Sequence, residues 1–211
     1  MTAAVGGAAT KRDATRDQLM DAGERLFAAR GVDDVTVAEI TRTAAQRNGA
    51  AVHYHFGGRD GLLEAILDRH LARIDAEHFA RLDALRSNDT MSLRALAAAA
   101  VEPVASSLET ESGRAFLKIQ AHRSLAEGGV FEQPSPGMAA VRKEFAAYMP
   151  DVPTEVIAER GRLVGLMMHQ RLGRRADEET RGIRRPSRRV LVETLIDAMT
   201  AVLSAPQGDA T

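Results

Sequence analysis

Apolar positions recur along this chain with the period of an α-helix almost throughout, and with the two-residue period of a strand almost nowhere. Over residues 15–30, Leu19, Ala22, Gly23, Leu26 and Phe27 fall on one face, which predicts an amphipathic helix. Thr15 and Gln18 have capping-box spacing at its start, and Gly31 is placed to stop it. A second, short helix is predicted from Thr36, with Glu39 three residues on, to about Ala45; Val37, Ile40 and Ala44 point inward. Asn48 is a favourable N-cap for a third helix reaching about His55. After Gly57-Gly58 a longer amphipathic helix is expected from Arg59 to about Leu85.

The tract Ser87-Asn88-Asp89-Thr90 reads as a loop. Beyond it the pattern predicts helices over residues 92–108, 112–125, 137–148, 154–175 and 187–203, punctuated by Gly128-Gly129, Pro134-x-Pro136 and Pro150-x-x-Pro153. The expected fold is all-α, with about nine helices. A small N-terminal unit, residues 11–58, runs into a larger helical body, residues 59–204, and the tails 1–10 and 205–211 are expected to be disordered.

Composition agrees. Of 211 residues 37 are Ala, aromatics are 4% and Trp is absent, a balance that favours close-packed helices over sheet. The absence of Cys excludes disulfides, thiolate metal sites and Cys nucleophiles. No stretch approaches the roughly twenty apolar residues of a membrane helix. The first ten residues lack a signal-peptide pattern, so a soluble cytoplasmic protein without membrane contact is expected. A net charge of −1 argues against a polyanion binder as a whole. The local distribution differs. Residues 1–60 balance eight Lys and Arg against eight Asp and Glu, yet from Ile40 to Arg59 there are three Arg (Arg42, Arg47, Arg59) and no carboxylate.

Two short helices joined by a tight turn make a helix-turn-helix candidate. To enter a major groove, the second must lead with small or polar residues. Here they are Asn48, Gly49, Ala50 and Ala51, followed by His53, Tyr54 and His55, while Val52 and Phe56 can anchor the helix.

On these residues the chain resembles the tetracycline-repressor (TetR) family of transcriptional regulators. The resemblance covers about Thr15 to Leu67. It rests on Leu26-Phe27-x-x-x-Gly31, Thr36-Val37-x-x-Ile40, Ala50-Ala51-Val52-x-Tyr54-His55-Phe56 and Arg59-x-Gly61-Leu62-Leu63. It implies a homodimer that binds a palindromic double-stranded operator through its N-terminal unit and a small effector through its body. Thr36 would hold a phosphate; Arg47, Asn48, Gly49 and Ala50 would face the bases or the groove edge. His53, Tyr54 and His55 would reach backbone or base edges, and Arg59 would grip a phosphate. The turn departs from the family's Ala-Gly-Val, reading Ala45-Gln46-Arg47. Gln46 in the left-handed conformation would cost about 1 kcal/mol.

For the body, a subunit interface is expected at Val156, Gly161, Leu163, Val164, Gly165, Met167, Leu191, Leu195, Ala198 and Val202, set against a central core helix as the alternative. An effector site is expected among Phe79, Leu82, Phe116, Gln120, His122, Tyr148, Met149 and Met168, which equally suit an ordinary core. The eight Arg between 171 and 189, with Asp177, Glu178 and Glu179 among them, suit a solvated, self-paired loop better than a second nucleic-acid contact. His53 and His55 diverge on a helix, and His70 and His78 lie about 12 Å apart by helix rise. No metal and no cofactor are expected. With no Gly-rich phosphate loop, Gly-x-Ser-x-Gly or His-Glu-x-x-His, an enzyme is not expected either. The rival reading is a helical small-molecule sensor that acts through protein contacts rather than DNA.

Overall fold

The computed structural model describes residues 11–46, 48–128 and 133–206. Arg47 and the tails 1–10 and 207–211 lie outside them. The described residues form nine α-helices and no strand: α1 (Lys11–Arg30), α2 (Val37–Thr43), α3 (Ala51–Phe56), α4 (Arg59–Ser87), α5 (Leu93–Ala105), α6 (Glu111–Ala126), α7 (Pro136–Tyr148), α8 (Thr154–Thr180) and α9 (Arg188–Ser204). A 3-10 turn, Ser106–Glu109, follows α5. The chain divides into two compact units between Asp68 and Arg69, inside α4.

In the first unit, Leu19 and Phe27 of α1, Ile40 of α2, Val52 of α3 and Leu62 and Ile66 of α4 are fully buried. Burying side chains of this size contributes about 1.5–3 kcal/mol each. Gly23 lets α4 come close: a Cβ there would lie 3.0 Å from Leu62 and 3.2 Å from Ile66. In the second unit α6 lies along α8, and α9 packs on α5 and α8. Leu96, Val101, Leu108, Phe116, Leu117, Ile119, Val141 and Leu172 form its core.

Element ends differ from the expected ones for local reasons. The first helix begins at Lys11, with Asp13 in its first turn, so Thr15 lies inside it and is not a cap. The helix expected to reach Leu108 ends at Ala105, where the Ser106 hydroxyl donates to the Pro103 carbonyl (2.8 Å) and the chain tightens into the 3-10 turn. Conversely α8 runs on to Thr180, where Arg174–Glu178, Arg175–Glu179 and Asp177–Arg181 pair at four-residue spacing. The arginine-rich stretch is self-paired: Glu178 also meets Arg171 and Arg185, and Glu179 meets Arg188.

Of the residues expected between subunits, Val164, Leu191 and Leu195 are 6%, 8% and 4% exposed, taken up in the core of their own chain where α8 and α9 pack. Leu163 faces outward, 56% exposed, and Val156, Gly161, Gly165, Met167, Ala198 and Val202 are half-buried.

Candidate nucleic-acid interface

Thr36 caps α2 in a reciprocal box. Its hydroxyl accepts from the Glu39 N–H (3.3 Å) and donates to Glu39 Oε2 (2.7 Å), while its own N–H donates to that carboxylate (2.9 Å). Arg30 donates to the other carboxylate oxygen at 2.9 Å, and this bond with the two from Thr36 holds the Glu39 pKa down at about 2. The hydroxyl expected to meet a phosphate is therefore engaged by Glu39. The box leaves the first-turn N–H groups of Val37 and Ala38 for an outside acceptor.

The turn after α2 is set at Ala45, φ 53°, and not at Gln46. Ala45 N–H donates to Arg42 O (3.0 Å) and Gln46 N–H to Thr41 O (3.0 Å), the two bonds of a Schellman ending. Because Ala45 takes the left-handed position, Gln46 is free to bond Gln18 Oε1 through its side-chain amide at 2.8 Å. That bond ties the turn to α1.

Asn48 does not begin α3. Its carbonyl accepts from Ala51 N–H (3.1 Å) and its Oδ1 from Ala50 N–H (3.0 Å), forming a turn that delivers the chain to a helix starting three residues later. Ala51 and Val52 are buried against the unit's core, whereas Asn48, Gly49, Ala50 and His53 are exposed and Tyr54 is 70% exposed. His55 is half-buried and meets the Tyr54 ring edge-on at 5.0 Å between centroids. The small-residue tip and the His53–Tyr54 side of α3 thus face solvent.

Arg59 begins α4, where its guanidinium donates to the carbonyls of Val32 and Asp33 (3.4 Å each) and lies 3.5 Å from Asp60 and 3.9 Å from Asp33 carboxylate oxygens. It clamps the loop between α1 and α2. Next to it, Gly61 takes the close approach of α3: a Cβ there would stand 1.9 Å from the Phe56 carbonyl oxygen.

Two cations escaped the sequence reading. Arg12 lies over the Tyr54 ring (5.6 Å to its centroid) and Arg16 over the Phe56 ring (5.2 Å). Both come from α1, so they join the carboxylate-free stretch in space and not in sequence. Their four-residue spacing, matching the spacing that puts two side chains on one helix face, was the available signal.

The family model described as bacterial regulatory proteins, tetR family, matches residues 19–66, which run from within α1 to within α4. The N-terminal unit belongs to the TetR family. Similar proteins include the HTH-type transcriptional regulator SrpR of Pseudomonas putida, 24% identical over 72% of this chain and 65% of that protein. The HTH-type transcriptional regulator BetI of Brucella anthropi is 35% identical over 53% of this chain and 56% of that protein. The chain thus spans less than two-thirds of the length of either curated relative. Among solved structures, the crystal structure of Mycobacterium smegmatis AmtR is similar in fold, with a TM-score of 0.52 at 16% identity, covering 98% of this chain and 92% of that one. Among the described residues no helix is long and apolar enough to cross a membrane, and no cluster of three or more His, Asp or Glu could hold a metal ion.

Beyond the TetR-family unit, the second unit holds a cavity of about 340 Å³. Of the residues expected at an effector site, Phe116, Gln120 and Met168 line it. Phe79, Leu82, His122, Tyr148 and Met149 do not: Phe79, His122 and Tyr148 point to solvent, and Leu82 and Met149 are buried away from it. In their place His78, Arg123, Arg142 and His169 stand on the wall. Gly161, Val164 and Gly165, expected between subunits, line this cavity too.

Proposed function

We propose that this chain is a DNA-binding transcriptional regulator of the cytoplasm, a homodimeric repressor that holds a palindromic operator and is released by a small-molecule effector. The observation that carries this reading is the solvent-facing tip and side of α3, with Asn48, Gly49, Ala50, His53 and Tyr54 outward in a stretch without carboxylates. Residues 11–58 serve as the DNA-binding domain and residues 59–204 as the effector and dimerisation domain.

In this mechanism the recognition helix α3 enters the major groove with its small-residue tip leading. Asn48 and His53 read base edges, along with Arg47. Tyr54 and His55 contact the sugar-phosphate backbone, and phosphates meet the start of α2 beside Thr36. Arg12 and Arg16, placed beside the aromatic side of α3, add to the local positive field. Arg59 acts on a phosphate only by loosening its hold on the Val32–Asp33 carbonyls; its second role is to keep α4 against the α1–α2 loop. Two such helices about 34 Å apart read successive grooves of one duplex face. Dimer contacts come from the outward positions of α8 and α9, with Leu163 the largest exposed apolar side chain among those expected there.

An effector works by binding the non-DNA state more tightly than the DNA-bound one. A gel shift with the chain's own upstream region tests the reading. Binding that weakens steeply with salt is expected; absence of salt-sensitive binding up to micromolar protein contradicts it. Association with a protein partner in place of DNA would favour the rival sensor reading.

A further inference from the structure

The cavity of the second unit is apolar over most of its wall, with Ile74, Phe116, Phe145 and Met168 among the side chains that face it. Its charged residues are of one sign. Among the described residues no Asp or Glu lines it, while Arg123, Arg142 and Arg162 do. Two of these cations are already balanced: Arg123 donates to Glu127 at 2.9 Å and to Gln120 at 3.1 Å, and Arg162 donates to Glu159 at 2.9 Å. Arg142 is different. Its pKa is pushed down by burial, and among the described residues no carboxylate pairs with it. A half-buried guanidinium without a counter-charge is costly in a soluble protein, and such a group is what an anionic ligand would satisfy.

His78 is a second polar group on the wall. It is 1% exposed, its Nδ1 lies 3.7 Å from Asp75 Oδ1, and the Ala100 backbone acts on the ring as well. Asp75 itself is occupied, accepting from Ser135 Oγ (2.5 Å) and Gly137 N–H (3.0 Å) at the start of α7. His78 therefore sits beside the first turn of α7, with a Cβ built on Gly137 falling 3.0 Å from the His78 Cβ. Arg142 follows five residues along the same helix, roughly 7.5 Å by helix rise. His169, which donates from Nδ1 to the Gly165 carbonyl at 2.8 Å, is held down to about 4 by burial, with Arg142 and Arg123 adding to the effect, so it brings no positive charge at neutral pH.

We propose that this cavity takes an amphipathic carboxylate, its anionic oxygens held by Arg142 and its apolar remainder against Ile74, Phe116, Phe145 and Met168. The bidentate fork of an arginine matches a carboxylate. Cationic ligands are disfavoured, since the described wall residues include no carboxylate to receive them. The inference deepens the effector reading given above and rests on it for its regulatory meaning, though binding itself is measured without DNA.

The test uses the full chain with three probes of equal length: octanoate, 1-octanol and octylammonium. Isothermal titration and thermal shift at neutral pH are expected to show octanoate binding and raising Tm, with the other two at least about tenfold weaker. Arg142→Gln should weaken octanoate by about tenfold or more and leave 1-octanol unchanged, while Arg142→Lys should fall between. Equal binding of octanoate and 1-octanol, preference for octylammonium, no octanoate binding at millimolar concentration, or an unchanged Arg142→Gln overturns the proposal. Should Arg142→Gln fail to fold, the ranking of the three probes on the unaltered chain and the Arg142→Lys titration decide it. A parallel gel shift separates the two readings: octanoate that binds but leaves the duplex bound refutes the effector role and not the carboxylate site.

Discussion

Ala45 holds a left-handed backbone, φ 53°, that costs a residue with a Cβ roughly 1–2 kcal/mol. Glycine escapes that cost but gives back about 0.4–1 kcal/mol in unfolded-chain entropy. Ala45→Gly is therefore expected to stabilise the chain by about 0.5 kcal/mol, read as a higher urea midpoint. Gln46→Gly should do the reverse, because it removes the 2.8 Å bond to Gln18 and relieves no strain. The opposite result for the pair would place the left-handed residue at Gln46. The recognition residues divide in the same way. Substitutions at Asn48 or His53 should change which operator bases are preferred, measured by selection from a randomised duplex. Tyr54→Ala and Arg12→Ala should weaken all sequences alike, Arg12→Ala also lowering the slope of log K against log salt by about 1. If the two groups behave identically, α3 does not dock as argued.

The short elements depend on close contacts that helical periodicity does not record. Gly61 gives the clearest case, since a methyl group there would meet the backbone carbonyl of Phe56 and neither partner is a flexible side chain. Gly61→Ala should cost about 1–3 kcal/mol, measured by denaturant unfolding, and should weaken DNA binding because α3 is displaced from α4. An unchanged stability would show that α4 can withdraw freely. The sequence revealed what periodicity and capping control: the order of the helices, the Thr36–Glu39 box, the burial of Ile40, Ala44 and Val52. It missed what depends on residues distant along the chain. Asn48 reads as a cap by residue type, yet its bonds to Ala50 and Ala51 make a turn ahead of α3. Arg59 reads as a phosphate ligand, yet the α1–α2 loop offers it two carbonyls. Arg12 and Arg16 lie about forty residues before the rings they cover and reach them only through the packing of α1. In the body, Leu191 and Leu195 are apolar at helical spacing whether they meet a second chain or their own core, so pattern alone could not decide between the two.

At the level of the whole molecule, the buried histidines couple stability to pH. His169 has a pKa of about 4, below its ordinary value of 6.5, and His78 is lowered as well, burial being the first cause in both. The unfolded chain thus binds more protons than the folded one between about pH 6.5 and 4. Stability is present in full above the unfolded value and is lost as pH falls through that window. His169→Gln should flatten the decline of the urea midpoint over this range; an unchanged slope would show that His169 is solvated and not held neutral.

The proposed role of the molecule turns on α3 reading DNA as one of a pair. Sedimentation of the full chain with a short palindromic duplex taken from its upstream region, at low and at physiological salt, addresses this directly. The expected species is two chains on one duplex, dissociating as salt is raised. A chain that sediments without the duplex at low salt, or that binds it singly with no second copy following, would contradict the account.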